Sequence, residues 1–124
     1  MKKFKIREIQ EECGVFGIHN SEDASTITAL GLHALQHRGQ EGCGIVSFDG
    51  KNFHSEKRNG LVGDNFTNKD VLKKLHGKFA IGHNRYSTTG EVSIRNIQPF
   101  FADLYGGGIS IAHNGNLTNA IQLR

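Results

Sequence analysis

Short apolar runs separated by polar, glycine-containing segments predict a chain rich in strands. The runs are five or six residues long and enriched in β-branched and aromatic side chains, which is typical of short strands. The predicted strands are residues 14–19, 44–49, 52–57, 79–83 and 109–113. Asp49-Gly50 is a hairpin signal between two of them. Residues 99–101 predict an edge segment, and the glycines at 106–108 predict the turn that leads into the last strand.

Helical spacing appears in three places between these strands. Ile27, Leu30, Ala34 and Leu35 predict an amphipathic helix with these residues on its core face, capped by Ser21 or Asp23 and ended by Gly39. A second, shorter helix is predicted after the cap residue Asn68, through Val71, Leu72 and Leu75 to a stop at Gly77. A third is predicted from a cap at Asn116 through residues 117–123. It has no C-cap signal, which indicates an incomplete chain.

Strands outnumber helices and several form hairpins, which favours an α+β or layered α/β fold. The 124 residues, 36% of them hydrophobic, are enough for one core and too few for two full domains. Lys plus Arg number 15 against 12 for Asp plus Glu, and this small excess argues against a nucleic-acid partner. No apolar stretch approaches the roughly 18 residues of a spanning helix, so we expect a soluble, cytoplasmic protein without a membrane partner.

Three polar or glycine-rich segments carry reactive groups. They are residues 12–14, residues 37–42, and residues 85–90 together with 113–117. They supply a thiol nucleophile, cations for a carboxylate, and an amide with backbone N–H groups for an oxyanion, which are the components of acyl transfer. The alternative at this stage is that Cys13, which is flanked by β-prone residues, is simply buried packing.

Four strings sharpen this choice because they occur together and in order. They are Glu-Cys-Gly-Val-Phe-Gly-Ile (12–18), Leu-Gln-His-Arg-Gly-Gln-Glu-Gly (35–42), Gly-His-Asn-Arg-Tyr-Ser-Thr-Thr-Gly (82–90) and Ala-His-Asn-Gly-Asn-Leu-Thr-Asn (112–119). In order and spacing the chain resembles the glutaminase domain of the class-II, N-terminal nucleophile glutamine amidotransferases. Gln40, Glu41 and Tyr86 are more similar to the phosphoribosylpyrophosphate-using branch than to the glucosamine-phosphate synthases.

The resemblance implies a fold and a domain layout. The fold is an αββα sandwich of the N-terminal nucleophile hydrolase type, of the α+β class, here truncated. Residues 1–12 would be a leader removed by self-cleavage after Glu12, and residues 13–124 part of the glutaminase domain. The phosphoribosyltransferase domain of the family would be absent.

The resemblance also implies the site. Cys13 would be the nucleophile, and the Asn114 side-chain amide with the Gly115 N–H would hold the oxyanion. Arg85 would grip the α-carboxylate of glutamine, with Thr88 as a weaker candidate for the same pocket.

Two further residues, Arg38 and Cys43, are interpreted separately. Arg38 would either order the surroundings of the nucleophile or pair structurally, for example with Glu41. Cys43 is interpreted as packing. His33 and His37 lie four apart on a predicted helix, but no third ligand completes a zinc site, so no metal or other cofactor is expected in this chain.

The implied activity is hydrolysis of glutamine through a Cys13 thioester. The ammonia would pass to phosphoribosylpyrophosphate, giving 5-phosphoribosylamine in the first step of purine synthesis. The parent protein would be a homo-oligomer and would use Mg²⁺ and, in one branch, a 4Fe–4S cluster, both through residues absent here. Two alternatives stay open: a catalytically inert incomplete fragment, and the glutaminase part of another class-II enzyme such as glucosamine-phosphate synthase.

Overall fold

An antiparallel four-stranded sheet forms the centre of the computed structural model, which describes residues 13–36, 40–86, 94–114 and 119–123. Its strands are β1 (Gly14–His19), β2 (Gln40–Phe48), β3 (Phe53–Asn59) and β4 (Phe79–Tyr86), in the order β1-β4-β2-β3. Two further strands, β5 (Phe100–Leu104) and β6 (Gly107–Ile111), pair as a separate hairpin. Because β4 lies between β1 and β2, it brings together segments far apart in sequence.

Four α-helices and one 3-10 turn lie in the described ranges. They are α1 (Ala24–Ala34), α2 (Val62–Asn65), α3 (Lys69–Lys74), α4 (Ala120–Leu123) and the turn Ile94–Asn96. Helices with antiparallel sheets confirm the predicted α+β class. In the described part of the chain, no helix is long and apolar enough to cross a membrane.

Helix α1 covers one face of the sheet at close range. A Cβ atom on Gly82 would come within 2.6 Å of Leu32 Cδ1, and a Cβ on Gly31 would overlap the Phe16 ring on β1. Glycine therefore allows this helix and this sheet to approach. The buried core beneath the helix comprises Ala24, Ala29, Leu32, Cys43, Ile45, Val62, Phe66, Leu75 and Ala80.

The segment that leads into β5 covers part of the other face. A Cβ on Gly42 would lie 2.7 Å from Ile97 Cδ1, and a Cβ on Gly44 would overlap the Gln98 carbonyl oxygen. The Phe101 ring lies 5.1 Å from the Phe53 ring of β3. The layers are therefore helix, sheet and hairpin.

Several sequence predictions are confirmed. Strand β1 has the predicted bounds. Asp49 Oδ1 accepts hydrogen bonds from the Lys51 and Asn52 N–H groups at 2.8 Å, and Gly50 has a positive φ of 99°, as the predicted turn requires. Asn68 caps α3 by accepting from the Asp70 N–H at 2.8 Å.

The predicted core face of α1 is wrong. Leu30 is 65% exposed and Leu35 is 38% exposed, whereas the buried face comprises Ala24, Ser25, Thr28, Ala29 and Leu32. Small side chains lie there because the helix rests closely on sheet glycines, and the Thr28 hydroxyl is satisfied by donating to the Ala24 carbonyl at 2.8 Å. The Asp23 side chain makes no capping hydrogen bond.

Strands β2, β3, β4 and β6 differ from their predicted bounds, and β3 ends at Asn59, two residues later than predicted. β2 begins at Gln40 and β4 continues to Tyr86, because pairing between these strands continues through polar residues that suggested loops. The hairpin turn lies at Tyr105-Gly106, and β6 begins at Gly107 and ends at Ile111, so His113 lies beyond the strand. Helix α2 was not predicted. Helix α1 ends at Ala34, before the predicted stop at Gly39, and both Gly39 and Asn116 lie outside the described residues.

Candidate active site

Cys13 immediately precedes β1, and the pairing of β1 with β4 places it beside the end of β4. Gly14 lies opposite Asn84 in the register. The Cys13 Sγ atom is 3.5 Å from the Tyr86 backbone nitrogen, which donates to it, and 3.8 Å from the Tyr86 carbonyl oxygen. Cys13 is half-buried, so the sheet holds a thiol that is not sealed in the core.

Arg85 precedes Tyr86 on β4 and is fixed by one hydrogen bond. Its Nη1 donates to the Asn96 carbonyl oxygen at 2.7 Å. The Arg85 Nε atom is buried and has no hydrogen-bond partner among the described residues. The guanidinium plane is therefore anchored at one nitrogen while another donor is left over, an arrangement that suits a bidentate acceptor such as a carboxylate.

Asn114 lies just beyond β6, and hydrogen bonds to its neighbour tie it to the sheet. The His113 N–H donates to Gln98 Oε1 at 2.6 Å, and the His113 carbonyl oxygen is 3.1 Å from Nε2 of His83 on β4. Asn114 itself is exposed. Strand β4 thus connects the surroundings of Cys13, Arg85 and Asn114, which are three of the predicted site residues.

His83 is almost fully buried, and burial is the largest cause that lowers the pKa of its imidazole. The hydrogen bond with the His113 carbonyl opposes this, while the charges of Arg85 and His113 lower the pKa further. The ring is therefore neutral at physiological pH. Because a carbonyl only accepts, the hydrogen is on Nε2, and Nδ1 has no partner in the described structure.

Cys43 contrasts with Cys13 and confirms its interpretation as packing. Its side chain is fully buried in the core, with Sγ 3.7 Å from the Gly60 carbonyl oxygen. Burial raises the pKa of this thiol to about 12, although the Arg58 charge acts in the opposite direction. A thiol in this state is not a nucleophile at neutral pH.

The other predicted site features lie outside the described residues. These are Arg38, Thr88, Gly115 and the leader 1–12. The described ranges contain no group of three His, Cys, Asp or Glu side chains that could hold a metal ion.

Sequence reasoning missed three polar residues around the site. They are His83, Asn84 and Gln98. Asn84 is fully buried and donates from Nδ2 to the Leu32 carbonyl at 2.7 Å, which links β4 to α1 near Gly14. His83 and Asn84 lie inside the string 82–90, and their polar side chains within a buried strand were the available signal.

Comparison with known proteins decides the family. Residues 13–123 match the family described as glutamine amidotransferases of class II. The chain belongs to this family. The resemblance derived from the four strings is therefore confirmed.

Among class-II relatives, the chain is 65% identical over 116 residues to an amidophosphoribosyltransferase of Rhizobium etli, covering 94% of this chain and 23% of that protein. It is 50% identical over 121 residues to the amidophosphoribosyltransferase of Bacillus subtilis, covering 97% of this chain and 25% of the relative. The chain thus spans about a quarter of the length of these curated relatives.

Two solved structures are similar to this chain in both fold and sequence. One, entitled "Structure of the allosteric regulatory enzyme of purine biosynthesis", superposes with a TM-score of 0.81 at 50% identity, over 88% of this chain and 23% of that chain. A glutamine phosphoribosylpyrophosphate amidotransferase from B. subtilis, complexed with ADP and GMP, gives a TM-score of 0.78 at 49% identity and the same coverage. The likeness extends over most of the described fold.

Proposed function

We propose that this chain is the glutaminase part of an amidophosphoribosyltransferase and that Cys13 is its nucleophile. The observation that carries the proposal is the pairing of β1 with β4. It places the Cys13 thiol 3.5 Å from the backbone nitrogen of Tyr86, directly after Arg85. A half-buried thiol, an anchored cation with a spare donor, and Asn114 tied to the same strand are what glutamine hydrolysis requires.

Removal of residues 1–12 activates the nucleophile in this proposal. While Glu12 is attached, the nitrogen of Cys13 is an amide without basicity. Once freed, an α-amino group has an ordinary pKa of roughly 7.7 to 8.0, against about 8.5 for a thiol, so it accepts the thiol proton near neutral pH. The precursor is therefore inactive as a glutaminase.

The reaction then proceeds in two steps. The Cys13 thiolate attacks the side-chain carboxamide carbon of glutamine, and the Asn114 amide with the Gly115 N–H stabilises the resulting oxyanion. The carbon–nitrogen bond breaks, and the α-ammonium of Cys13 supplies the proton with which ammonia leaves. Water cleaves the thioester, which releases glutamate and restores the thiol.

Arg85 binds the α-carboxylate of glutamine in this scheme. Its bond to Asn96 holds the guanidinium plane, and the unpartnered Nε supplies a donor toward the substrate. Thr88 adds to the same pocket. Arg38 either orders the nucleophile's surroundings or pairs with Glu41, whose Oε2 is buried without a partner in the described residues.

The ammonia acceptor is phosphoribosylpyrophosphate, and the product is 5-phosphoribosylamine, made in the cytoplasm by a homo-oligomer. The names of the relatives support this acceptor, which is bound by a phosphoribosyltransferase domain beyond these residues. Mg²⁺ and a 4Fe–4S cluster belong to the same distant part. The described residues do not fit either group, because they contain no cluster of three metal-ligating side chains and the Cys43 thiol lies sealed in the core.

A second candidate is that these residues alone are inert. Every residue of β5 is exposed, including Phe100 at 42% and Phe101 at 45%, and Ile109 and Ile111 of β6 are exposed as well. A hairpin with this much uncovered apolar surface favours dependence on further protein around it.

The test compares Cys13→Ala with Cys43→Ala in the full-length protein. Cys13→Ala is expected to abolish glutamine hydrolysis and removal of residues 1–12, whereas Cys43→Ala retains both. Hydrolysis is measured as glutamate release and processing as intact mass. Undiminished glutamine hydrolysis in Cys13→Ala would overturn the proposal.

A further inference from the structure

The backbone of His113 is held on both sides by side chains from other segments. Gln98 Oε1 accepts from its N–H at 2.6 Å, and His83 Nε2 contacts its carbonyl oxygen at 3.1 Å. That carbonyl belongs to the same planar peptide unit as the backbone nitrogen of Asn114. The His83 bond therefore fixes the plane from which Asn114 extends.

The hairpin before His113 is little buried. β5 is exposed along its whole length and β6 at four of its five positions. The hairpin contacts the sheet through the Phe101 ring against Phe53 and the Phe100 ring beneath the Lys57 ammonium. His113 and Asn114, which follow it, are exposed as well. In contrast, His83 is 1% exposed and lies in the central strand of the sheet. A rigid, buried donor thus determines where an otherwise exposed segment lies.

The protonation state of the ring fits this role. The carbonyl requires a hydrogen on Nε2, and a neutral imidazole supplies one. A second proton on Nδ1 would have no acceptor in the described structure and would place a charge beside Arg85. The contact is therefore an N–H to carbonyl bond that persists across neutral pH.

We propose that His83 is a positioning residue for the oxyanion hole, which with Gln98 holds the His113 backbone so that the Asn114 amide meets the developing negative charge. This inference rests on the proposed function, since it needs Cys13 as the nucleophile and Asn114 as an oxyanion donor. His83 itself does not touch the substrate. Its contribution is to geometry, and a displacement of about 1 Å can cost about a hundredfold in rate.

The experiment compares His83→Leu with His83→Gln in the full-length protein. Leucine removes the donor, whereas glutamine keeps an N–H at a similar reach. We expect His83→Leu to lower kcat for glutamine hydrolysis by at least about tenfold with KM changed by less than about threefold, and His83→Gln to recover part of the loss.

A second readout separates positioning from general damage. Iodoacetamide alkylates a thiol by direct displacement at carbon and creates no oxyanion. The alkylation rate of Cys13 should therefore stay within about twofold of the wild-type rate in His83→Leu. A wild-type kcat in His83→Leu would overturn the proposal. A parallel fall of kcat and alkylation, or no advantage of glutamine over leucine, would also overturn it.

Gln98→Leu keeps the proposal testable where His83→Leu fails to fold. Gln98 is only half-buried and holds the opposite side of the same residue, so its loss should also lower kcat and spare alkylation. An unchanged kcat there contradicts the inference.

Ser110→Ala is the matched control. It removes a hydrogen bond of 3.0 Å to the Phe100 carbonyl within the same hairpin without touching His113, and it should leave kcat unchanged. Glutaminase activity that survives Cys13→Ala would overturn the proposed function itself, which is a different outcome from an inactive Cys13→Ala with a fully active His83→Leu.

Discussion

The two cysteines of this chain differ in burial. Cys13 is half-buried and immediately precedes β1, whereas Cys43 is buried in the core between the sheet and α1. Hydrophobicity patterns place both in or beside strands and do not distinguish them. The motif around Cys13 distinguishes the two cysteines. The structure adds that burial of Cys43 in the core raises the pKa of its thiol, which therefore stays protonated at neutral pH.

The buried Cys43 thiol makes stability depend on alkaline pH. Its pKa is about 12 in the folded protein against an ordinary value of 9.0, so between these values the unfolded state loses a proton that the folded state keeps. Stability is therefore present below pH 9 and is lost as pH rises toward 12, by up to about 1.4 kcal/mol per pH unit.

Cys43→Ala is the control for this prediction. Denaturant unfolding from pH 8 to pH 11 should give a steeper loss of stability for the wild type than for Cys43→Ala, because other titrating groups are shared. Parallel curves would contradict the raised pKa.

Arg85→Lys tests the proposed binding of the glutamine α-carboxylate by Arg85. Lysine keeps the charge but cannot hold the Asn96 carbonyl and present a fork at the same time. We expect KM for glutamine to rise by about tenfold or more, with a smaller change in kcat. The measurement is steady-state glutaminase kinetics. An unchanged KM would mean that Arg85 does not bind the substrate.

At the residue scale, the motifs predicted the proposed site residues but not the residues that hold them in place. Cys13, Arg85 and Asn114 lie in strings whose chemistry is recognisable in one dimension. Gln98 lies in an ordinary segment before β5, and its role follows only from its contact with the backbone at position 113. Such a support depends on tertiary pairing, which no local pattern encodes.

At the scale of elements, glycine in β2 sets the distance between the sheet and the segment that leads to Gln98. A Cβ on Gly44 would overlap the Gln98 carbonyl oxygen, which is backbone and cannot swing away. Gly44→Ala should therefore cost about 1 to 3 kcal/mol in unfolding free energy and also lower glutaminase kcat.

Gly17→Ala in β1 is the matched control. A Cβ there would lie 3.5 Å from Ile81 Cγ2, an ordinary contact. Its stability should stay within about 0.5 kcal/mol of the wild type, since substitutions away from tight sites have small effects. Equal behaviour of the two variants in denaturant unfolding would contradict the close approach at Gly44.

The cap of α3 provides a prediction confined to stability. Asn68→Ala removes the acceptor for the Asp70 N–H and should cost about 1 kcal/mol, whereas Asn68→Asp keeps it. Chemical denaturation measures both. Glutaminase kcat should be unchanged in both, because no described contact links α3 to Cys13 or Arg85. An Asn68→Ala variant with the unfolding free energy of the wild type would contradict the capping role.

Elements with a strong local signal were predictable, and those decided by packing were not. β1 and the Asp49-Gly50 turn follow from the sequence because their patterns are local. The face of α1 does not, since glycines in the facing sheet favour Thr28 over Leu30 at the contact. β4 extends through Arg85 because β2 pairs with it as far as Tyr86, two residues beyond its last pair with β1 at Asn84.

At the scale of the whole molecule, the described residues form a helix layer, a four-stranded sheet and a hairpin whose apolar side chains are largely exposed. The chain spans 23% and 25% of two curated amidophosphoribosyltransferases that it resembles. Strand and helix spacing narrowed the fold to the α+β or layered α/β class, and the family resemblance indicated α+β. The order β1-β4-β2-β3 was not predictable, because it depends on pairing between segments 60 to 70 residues apart, from His19 with Phe79 to Gly14 with Asn84.

The most direct test of Cys13 as the nucleophile is the intact mass of the full-length protein before and after a glutamine-mimicking electrophile, with the labelled position mapped by peptide fragmentation. A new N-terminus at Cys13 and a single label on that residue are expected, with no label in Cys13→Ala. A label on Cys43, or labelling that persists in Cys13→Ala, would contradict the claim that Cys13 is the nucleophile.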